Sequence, residues 1–253
     1  MDSKFSDKYK NLDNTLLSDI YNDLLTKYKD TKQLEQKLKS LIHQIWGSYY
    51  TSKPNFKKLI EKVRVFENPK EYLFTLLQIH SSTKERLLFY PDFYTKIFEL
   101  TGIPNTILDM GCGFNPLYYV LDERFNYISI DCVDIDKDET EFLNEVFDFF
   151  HMSKCNAELG NVLNFDYAKT YDIVFLLKLL PVIEQQRRGE VLNILKKIKA
   201  KCLVISFPTK SIVGKQKGME SNYREHFLDI AQKVGYTTQE IVFPNELVFV
   251  CKQ

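Results

Sequence analysis

Three short groups of residues in this 253-residue chain combine types and spacing that can do chemistry. The first is Asp109, Gly111 and Gly113, followed directly by Phe114, Asn115 and Pro116. Glycines at alternate positions tolerate positive φ and, lacking a Cβ, let main-chain N–H groups approach a ligand closely. The second is Asp134, Ile135 and Asp136, which begins 23 positions after Gly111. An acidic residue about that far along can accept from both hydroxyls of a ribose. The third is Lys178, a cation set among leucines and before Pro181. A cation in such a run either snorkels to water or has a partner.

The charge distribution narrows the ligand. Net charge is zero overall, but residues 1–100 carry +4, residues 101–172 carry −10 and residues 173–253 carry +6. Solvated helices of mixed charge account for part of this. A dinucleotide fits the turn badly, because Pro116 occupies the place of its third glycine and Asp109 stands beside the expected pyrophosphate. A cationic nucleoside suits the acidic rim better, and S-adenosylmethionine is the common one. A glycine turn without a ligand remains the alternative. The five cysteines are dispersed, with no Cys-x-x-Cys pair, which argues for reduced thiols in a cytoplasmic protein and against a zinc site or any other metal. No apolar run is long enough for a membrane span and no signal-peptide pattern is present, so no membrane partner is expected.

These groups need strand ends and helices to hold them. Between residues 10 and 100 there is one glycine, Gly47, and apolar residues recur at helical spacing, which predicts about five helices. Ser82 and Glu85 have the spacing of a capping box, and Trp46 and Tyr49 read as core aromatics. From residue 106 the period changes. Strands are expected at 106–110, 127–133, 171–177, 202–207, 237–243 and 246–251, the last two as an antiparallel edge hairpin, with a helix over 184–198. Strands alternating with helices imply a doubly wound sheet whose ligands sit beyond the strands' carboxyl ends. The expected division is a helical segment over 1–102 and an α/β domain over 103–253.

Seven stretches, in one order, make the chain similar to the bacterial 16S rRNA guanine-N7 methyltransferases that confer aminoglycoside resistance. They are HQIWGSYY at 43–50, IHSSTKER at 79–86, LDMGCGFNPL at 108–117, DID at 134–136, LLKLLP at 176–181, EQQ at 184–186, and SFPTKS at 206–211 continuing to Gly214, Lys217, Met219 and Tyr223. The resemblance implies a Rossmann-like class I methyltransferase sheet with an N-terminal helical domain. It implies S-adenosylmethionine as cofactor and the 30S subunit as partner of a monomer. Arg86 would then pair with the methionyl carboxylate. His80, Ser82, Asp109, Gly111, Gly113, Asp134, Ile135 and Leu177 would surround the cofactor, with adenine near Asn161, Val162 and Leu163.

Guanine N7 carries an in-plane lone pair and no proton, so its methylation needs alignment and exclusion of water, not a general base. The base must leave its stack to be reached in line. Lys178, Phe114 and Phe207 are the expected residues around it. Residues 27–86 carry a net +7, which suits docking on RNA phosphates. The candidates are Lys37, Lys39, Lys53, Lys57, Lys58 and Arg64, joined by Lys210, Lys215 and Lys217. Two rivals stay open: a methyltransferase of the same fold acting on another RNA site or a small molecule, and a cofactor-free RNA-binding scaffold.

Overall fold

The computed structural model describes residues 7, 9–209 and 219–252. Within them, α1 (Asn14–Lys27), α2 (Thr31–Ile45), α3 (Phe56–Val65), α4 (Pro69–Leu76), α5 (Ser81–Arg86) and α6 (Tyr90–Thr101) precede the sheet. Four of these helices start where sequence chemistry says they should. Asp13, Asp30, Asn55 and Asn68 each accept from the backbone N–H three residues on, satisfying one orphan donor. The capping box expected at Ser82 and Glu85 does not form. Ser82 Oγ lies 2.8 Å from His80 Nδ1, while the Glu85 carboxylate meets Lys178.

The remainder alternates as β1 (Thr106–Met110), α7 (Asn115–Leu121), β2 (Ser129–Asp134), α8 (Lys137–Phe149), β3 (Cys155–Leu159) and β4 (Thr170–Leu177). It continues through α9 (Leu180–Gln186), α10 (Glu190–Lys197), β5 (Lys199–Pro208), α11 (Met219–Val234), β6 (Thr237–Phe243) and β7 (Glu246–Lys252). The strands form one sheet in the order β3-β2-β1-β4-β5-β7-β6. β1 to β5 run parallel, and β7 inserts antiparallel between β5 and β6. β3 escaped the sequence pattern because only Ala157 among its five residues is buried. The single helix expected over 184–198 is broken at Gly189, which takes φ 80° between α9 and α10.

Period-two alternation in the parallel strands feeds two apolar layers. Ile107, Ile173 and Phe175 face α3, α4, α6, α7 and α8, whereas Leu108, Val174 and Leu176 face α1, α2, α9, α10 and α11. The leading helices therefore pack on both faces of the sheet. The chain passes from one layer to the other between Ile45 and Tyr50, which belong to opposite cores. β1 and β4 are neighbours while their following helices lie on opposite faces, so a crevice opens at their carboxyl ends. No helix among the described residues is long and apolar enough to cross a membrane.

Candidate cofactor and methyl-transfer site

The crevice is a cleft that holds the glycine turn, the end of β2 and Lys178. After β1 the chain folds over β2: the N–H groups of Gly111 and Cys112 donate to Val133 O at 2.8 and 3.1 Å. Gly111 takes φ 63° and Gly113 φ 51°. A Cβ at Gly111 would lie 2.7 Å from Leu179 Cδ1, and one at Gly113 would lie 3.0 Å from the His80 ring. Positive φ thus favours glycine at both positions, and an added Cβ would press on Leu179 or His80. Gly113 N–H donates to Asp134 Oδ2 at 2.9 Å, and Ile135 N–H to Oδ1 at 2.7 Å. Burial nonetheless pushes the Asp134 carboxyl up to about 6, these N–H donors opposing the rise.

Asp109 has a different role from the one its position suggests. It is 1 % exposed, does not line the cleft, and accepts from Asn115 Nδ2 at 2.8 Å and Tyr119 Oη at 2.7 Å. Tyr90 and Tyr94 in turn donate to Asn115 Oδ1. Through Oδ2, Asp109 therefore ties the turn to α6 and α7, while its buried Oδ1 has no hydrogen-bond partner. Phe114 is also corrected. It is fully buried against Tyr50, Phe56, His80 and Phe142 and cannot stack on a flipped base.

The cleft is roofed by residues that sequence periodicity assigned to the core. Ile45, Trp46, Tyr49 and Tyr50 line it, because the crossing between layers runs over the strand ends. His80 stacks on Tyr49 with centroids 5.2 Å apart and meets Tyr50 edge-on at 5.0 Å. Burial, with Arg86 and Lys178 nearby, drops the His80 pKa to about 3, so it is a neutral wall and no acid–base catalyst. Tyr50 Oη bonds Glu139, another lining residue, whose carboxyl burial raises well above the carboxylate range.

Lys53 departs from the RNA-docking set. Its Nζ lies 3.1 Å from Asp136 and 2.7 Å from Asp138, and Trp46 Nε1 donates to Asp136 at 3.1 Å. The ammonium braces the loop that carries Asp134 and Ile135. Lys53→Ala is expected to weaken cofactor binding about threefold to tenfold, the scale of a partly exposed ion pair, in calorimetry with S-adenosylmethionine. Unchanged affinity would remove the bracing role.

At the opposite end, Lys178 adopts φ 58°, an uncommon conformation for a residue with a Cβ. Its N–H donates to both Ser206 O and Ser206 Oγ at 3.0 Å, which holds the backbone there. Lys178 lines the cleft, and its ammonium pairs with Glu85 and lies 3.5 Å from Glu246. Arg86 points away from the cofactor space. Its Nε and Nη2 bind the two Glu246 oxygens at 2.8 Å each, in full burial. The guanidinium fork is engaged by that carboxylate, so pairing with a methionyl carboxylate is not what this geometry provides.

The cleft thus gathers His80, Ser82, Gly111, Gly113, Asp134, Ile135, Val162, Leu177 and Lys178 from the expected set. Asn161 and Leu163 stay outside it, Asn161 Oδ1 accepting from Leu163 N–H at 3.2 Å to shape the loop beside Gly160. Phe207 lines an adjoining apolar depression with Pro181, Tyr223 and Phe227, and stacks on Tyr223 at 5.0 Å. Lys37, Lys39, Lys57 and Lys58 are exposed, and Arg64 pairs with Glu145 at 2.8 Å. Lys210, Lys215 and Lys217 lie outside the described residues. Sequence reasoning missed Glu139 and gave Gln186 no role. Both line the cleft, and each has a buried oxygen, Oε1, without a hydrogen-bond partner. Gln186 Oε1 suits hydroxyl or amino hydrogens of a nucleoside, and the Glu139 carboxyl, held protonated by burial, suits an acceptor. Together with the glycine cradle and the Asp134 carboxylate, they fit S-adenosylmethionine.

Known proteins agree with this geometry. A 16S rRNA (guanine(1405)-N(7))-methyltransferase of Proteus mirabilis is 30% identical over 97% of this chain and 92% of its own length. One of Serratia marcescens is 31% identical over 88% and 84%. The structure of the 16S rRNA methylase ArmA superposes with a TM-score of 0.65 at 36% identity, covering 79% of this chain and 99% of that one. The 16S rRNA methyltransferase RmtF, solved with S-adenosyl-L-homocysteine, shares the fold with a TM-score of 0.80 at 23% identity over 97% and 93%. Residues 6–250 match the family described as ribosomal RNA methyltransferase (FmrO), and the chain belongs to that family.

Proposed function

We propose that this chain methylates N7 of a guanine in 16S rRNA, within the small ribosomal subunit, using S-adenosylmethionine. The observation that carries this reading is the cleft at the β1/β4 switch point, floored by Gly111 and Gly113 and bounded by Asp134 on one side and Lys178 on the other. S-adenosylmethionine supplies an electrophilic methyl on a sulfonium. The chain's residues do the rest. Asp134 accepts from the ribose hydroxyls, while Gln186 offers an acceptor and the protonated Glu139 carboxyl a donor to the nucleoside. Trp46, Tyr49 and His80 close the cleft against water, and Lys178 marks the end where the target base arrives. No residue needs to remove a proton, which matches a site whose histidine is made a weak base by burial.

We place this action in a monomer, in the cytoplasm where ribosomal subunits are found. A methyl group on N7 leaves a fixed positive charge on the base, which repels a cationic aminoglycoside at that site. Resistance would then follow from the product. The test is methyl transfer from labelled S-adenosylmethionine to isolated 30S subunits, with the modified nucleotide mapped. Label at N7 of guanine 1405, the nucleotide in the relatives' names, is expected. Label elsewhere, or only on a small molecule, overturns the assignment.

Affinity for the subunit is assigned to the exposed cations of the helical segment 1–102. Reversing Lys37, Lys57 and Lys58 together is expected to weaken 30S binding by about 10- to 100-fold and to lower the salt dependence by about one unit of slope per lost phosphate contact. Cofactor affinity should be unchanged, since none of the three lines the cleft. Filter binding at two salt concentrations checks this, and unaltered 30S affinity would move docking to another face.

A further inference from the structure

A carboxylate at the cleft mouth has no role in the cofactor chemistry. Arg86, Lys178, Glu246 and Glu85 form a neutral quartet in which Arg86, Lys178 and Glu246 are buried. Glu85 alone is open, with 39% of its side chain exposed. The buried cation fixes this open carboxylate: Lys178 Nζ binds its Oε2, leaving Oε1 free to accept from another donor. The backbone beneath is also held, since Asn245 Nδ2 donates to Glu85 O at 3.0 Å.

We infer that Lys178 and Glu85 read the edge of the flipped guanine, Lys178 donating to O6 and Glu85 accepting from N1–H and the N2 amino group. This rests on the reading of the chain as a guanine-N7 methyltransferase and deepens it. The match of donors and acceptors is the reason. Around guanine, N7, O6, N1–H and N2–H₂ follow one another as nucleophile, acceptor, donor and donor. On the protein side, Lys178 lines the cofactor cleft and holds the Glu85 carboxylate, the open member of the pair, beside it. Adenine reverses the pattern, setting an amino group against Lys178 and an unprotonated N1 against Glu85. Tyr49 lines the same cleft as Lys178, and Tyr223 stacks on Phe207 in a second apolar depression, so aromatic faces are at hand for the base.

The arrangement also favours the reaction. As N7 acquires the methyl, its lone pair becomes a bond and positive charge spreads into the ring. N1–H then becomes a stronger donor, so the bond to Glu85 strengthens in the transition state. Glu85 therefore affects the methyl-transfer rate more than subunit binding.

The test uses the full-length protein and 30S subunits reconstituted with guanosine, inosine or adenosine at the target position. Inosine keeps N7, O6 and N1–H but lacks the N2 amino group. Wild-type single-turnover methylation is expected to slow at least about tenfold on inosine, the scale of one hydrogen bond to a charged group. Glu85→Gln is expected to lower the rate on guanosine by about 100-fold and to narrow the gap between guanosine and inosine, while S-adenosylmethionine affinity stays at the wild-type value. Equal wild-type rates on guanosine and inosine overturn the inference whatever the variant does, and a Glu85→Gln rate near wild type overturns it as well. Absence of any wild-type label on guanine N7 would instead overturn the parent reading.

Discussion

Replacing Glu246 with alanine is expected to cost about 3–5 kcal/mol of folding stability, the penalty for stranding a buried charge without its partner. Glu246 is fully buried at the start of β7 and receives both Arg86 nitrogens at 2.8 Å, with Lys178 3.5 Å away. Both cations are largely withdrawn from water: Arg86 is 1 % exposed and Lys178 is 6 %. Arg86 and Lys178 hold the Glu246 carboxyl below the usual range against the opposing effect of burial. Its stabilising contribution is therefore complete above the unfolded carboxylate pKa and is lost as pH falls through the lower folded value. Urea denaturation of Glu246→Ala measures the loss. The companion Arg86→Met with Glu246→Met removes the charge and its partner together, leaves Lys178 to Glu85, and should recover most of it. A single variant as stable as wild type would show that the quartet is not a structural lock.

Much of this was visible in the residues before the fold. Alternation of apolar strands and helices from residue 106 gave the doubly wound sheet, and the spacing from Gly111 to Asp134 placed two of the cleft's walls. β3 was not visible because an edge strand with one buried residue carries no apolar run. Asp109 and Asp134 look equivalent in sequence, each an acid next to a glycine turn or strand end. Only the direction of the side chain distinguishes them, and Asn115 and Tyr119 turn Asp109 inward. Trp46 and Tyr49 follow helical spacing, so periodicity assigns them to a core, yet the crossing between the two layers makes them a roof over the ligand. The partner of Arg86 lies 160 positions away in β7, a distance over which sequence spacing holds no information. A cation beside a cofactor motif therefore read as a ligand contact when its counter-charge was inside the protein.

Asp134→Asn is expected to weaken S-adenosylmethionine binding by about 100-fold, which corresponds to losing charge-assisted hydrogen bonds to two hydroxyls. The substitution is isosteric, but it also presents an amide where Gly113 N–H and Ile135 N–H now donate to carboxylate oxygens at 2.9 and 2.7 Å. One of those backbone donors loses its acceptor, and the glycine turn loosens with it. The pH dependence separates the charge from this geometric effect. Burial places the Asp134 pKa at about 6, so the carboxylate is present above that value and protonated below it. A protonated acid is a poorer acceptor for ribose hydroxyls, and wild-type affinity should fall about tenfold between pH 7 and pH 5. Asp109, also near 6 through burial, titrates over the same range but lies behind the turn. Its contribution persists in Asp134→Asn and is subtracted by comparing the two proteins. For folding the sign is opposite to that of binding. Both carboxyls hold protons more tightly in the native state, so between about pH 4 and 6 their contribution to stability decreases as pH rises. Calorimetric titrations of wild type and Asp134→Asn at pH 5, 6 and 7 provide the comparison. Parallel pH profiles would mean that Asp134 does not ionise against the ribose, and the hydroxyls would then have to be held by Glu139 or by backbone groups of the Asp134–Asp136 loop.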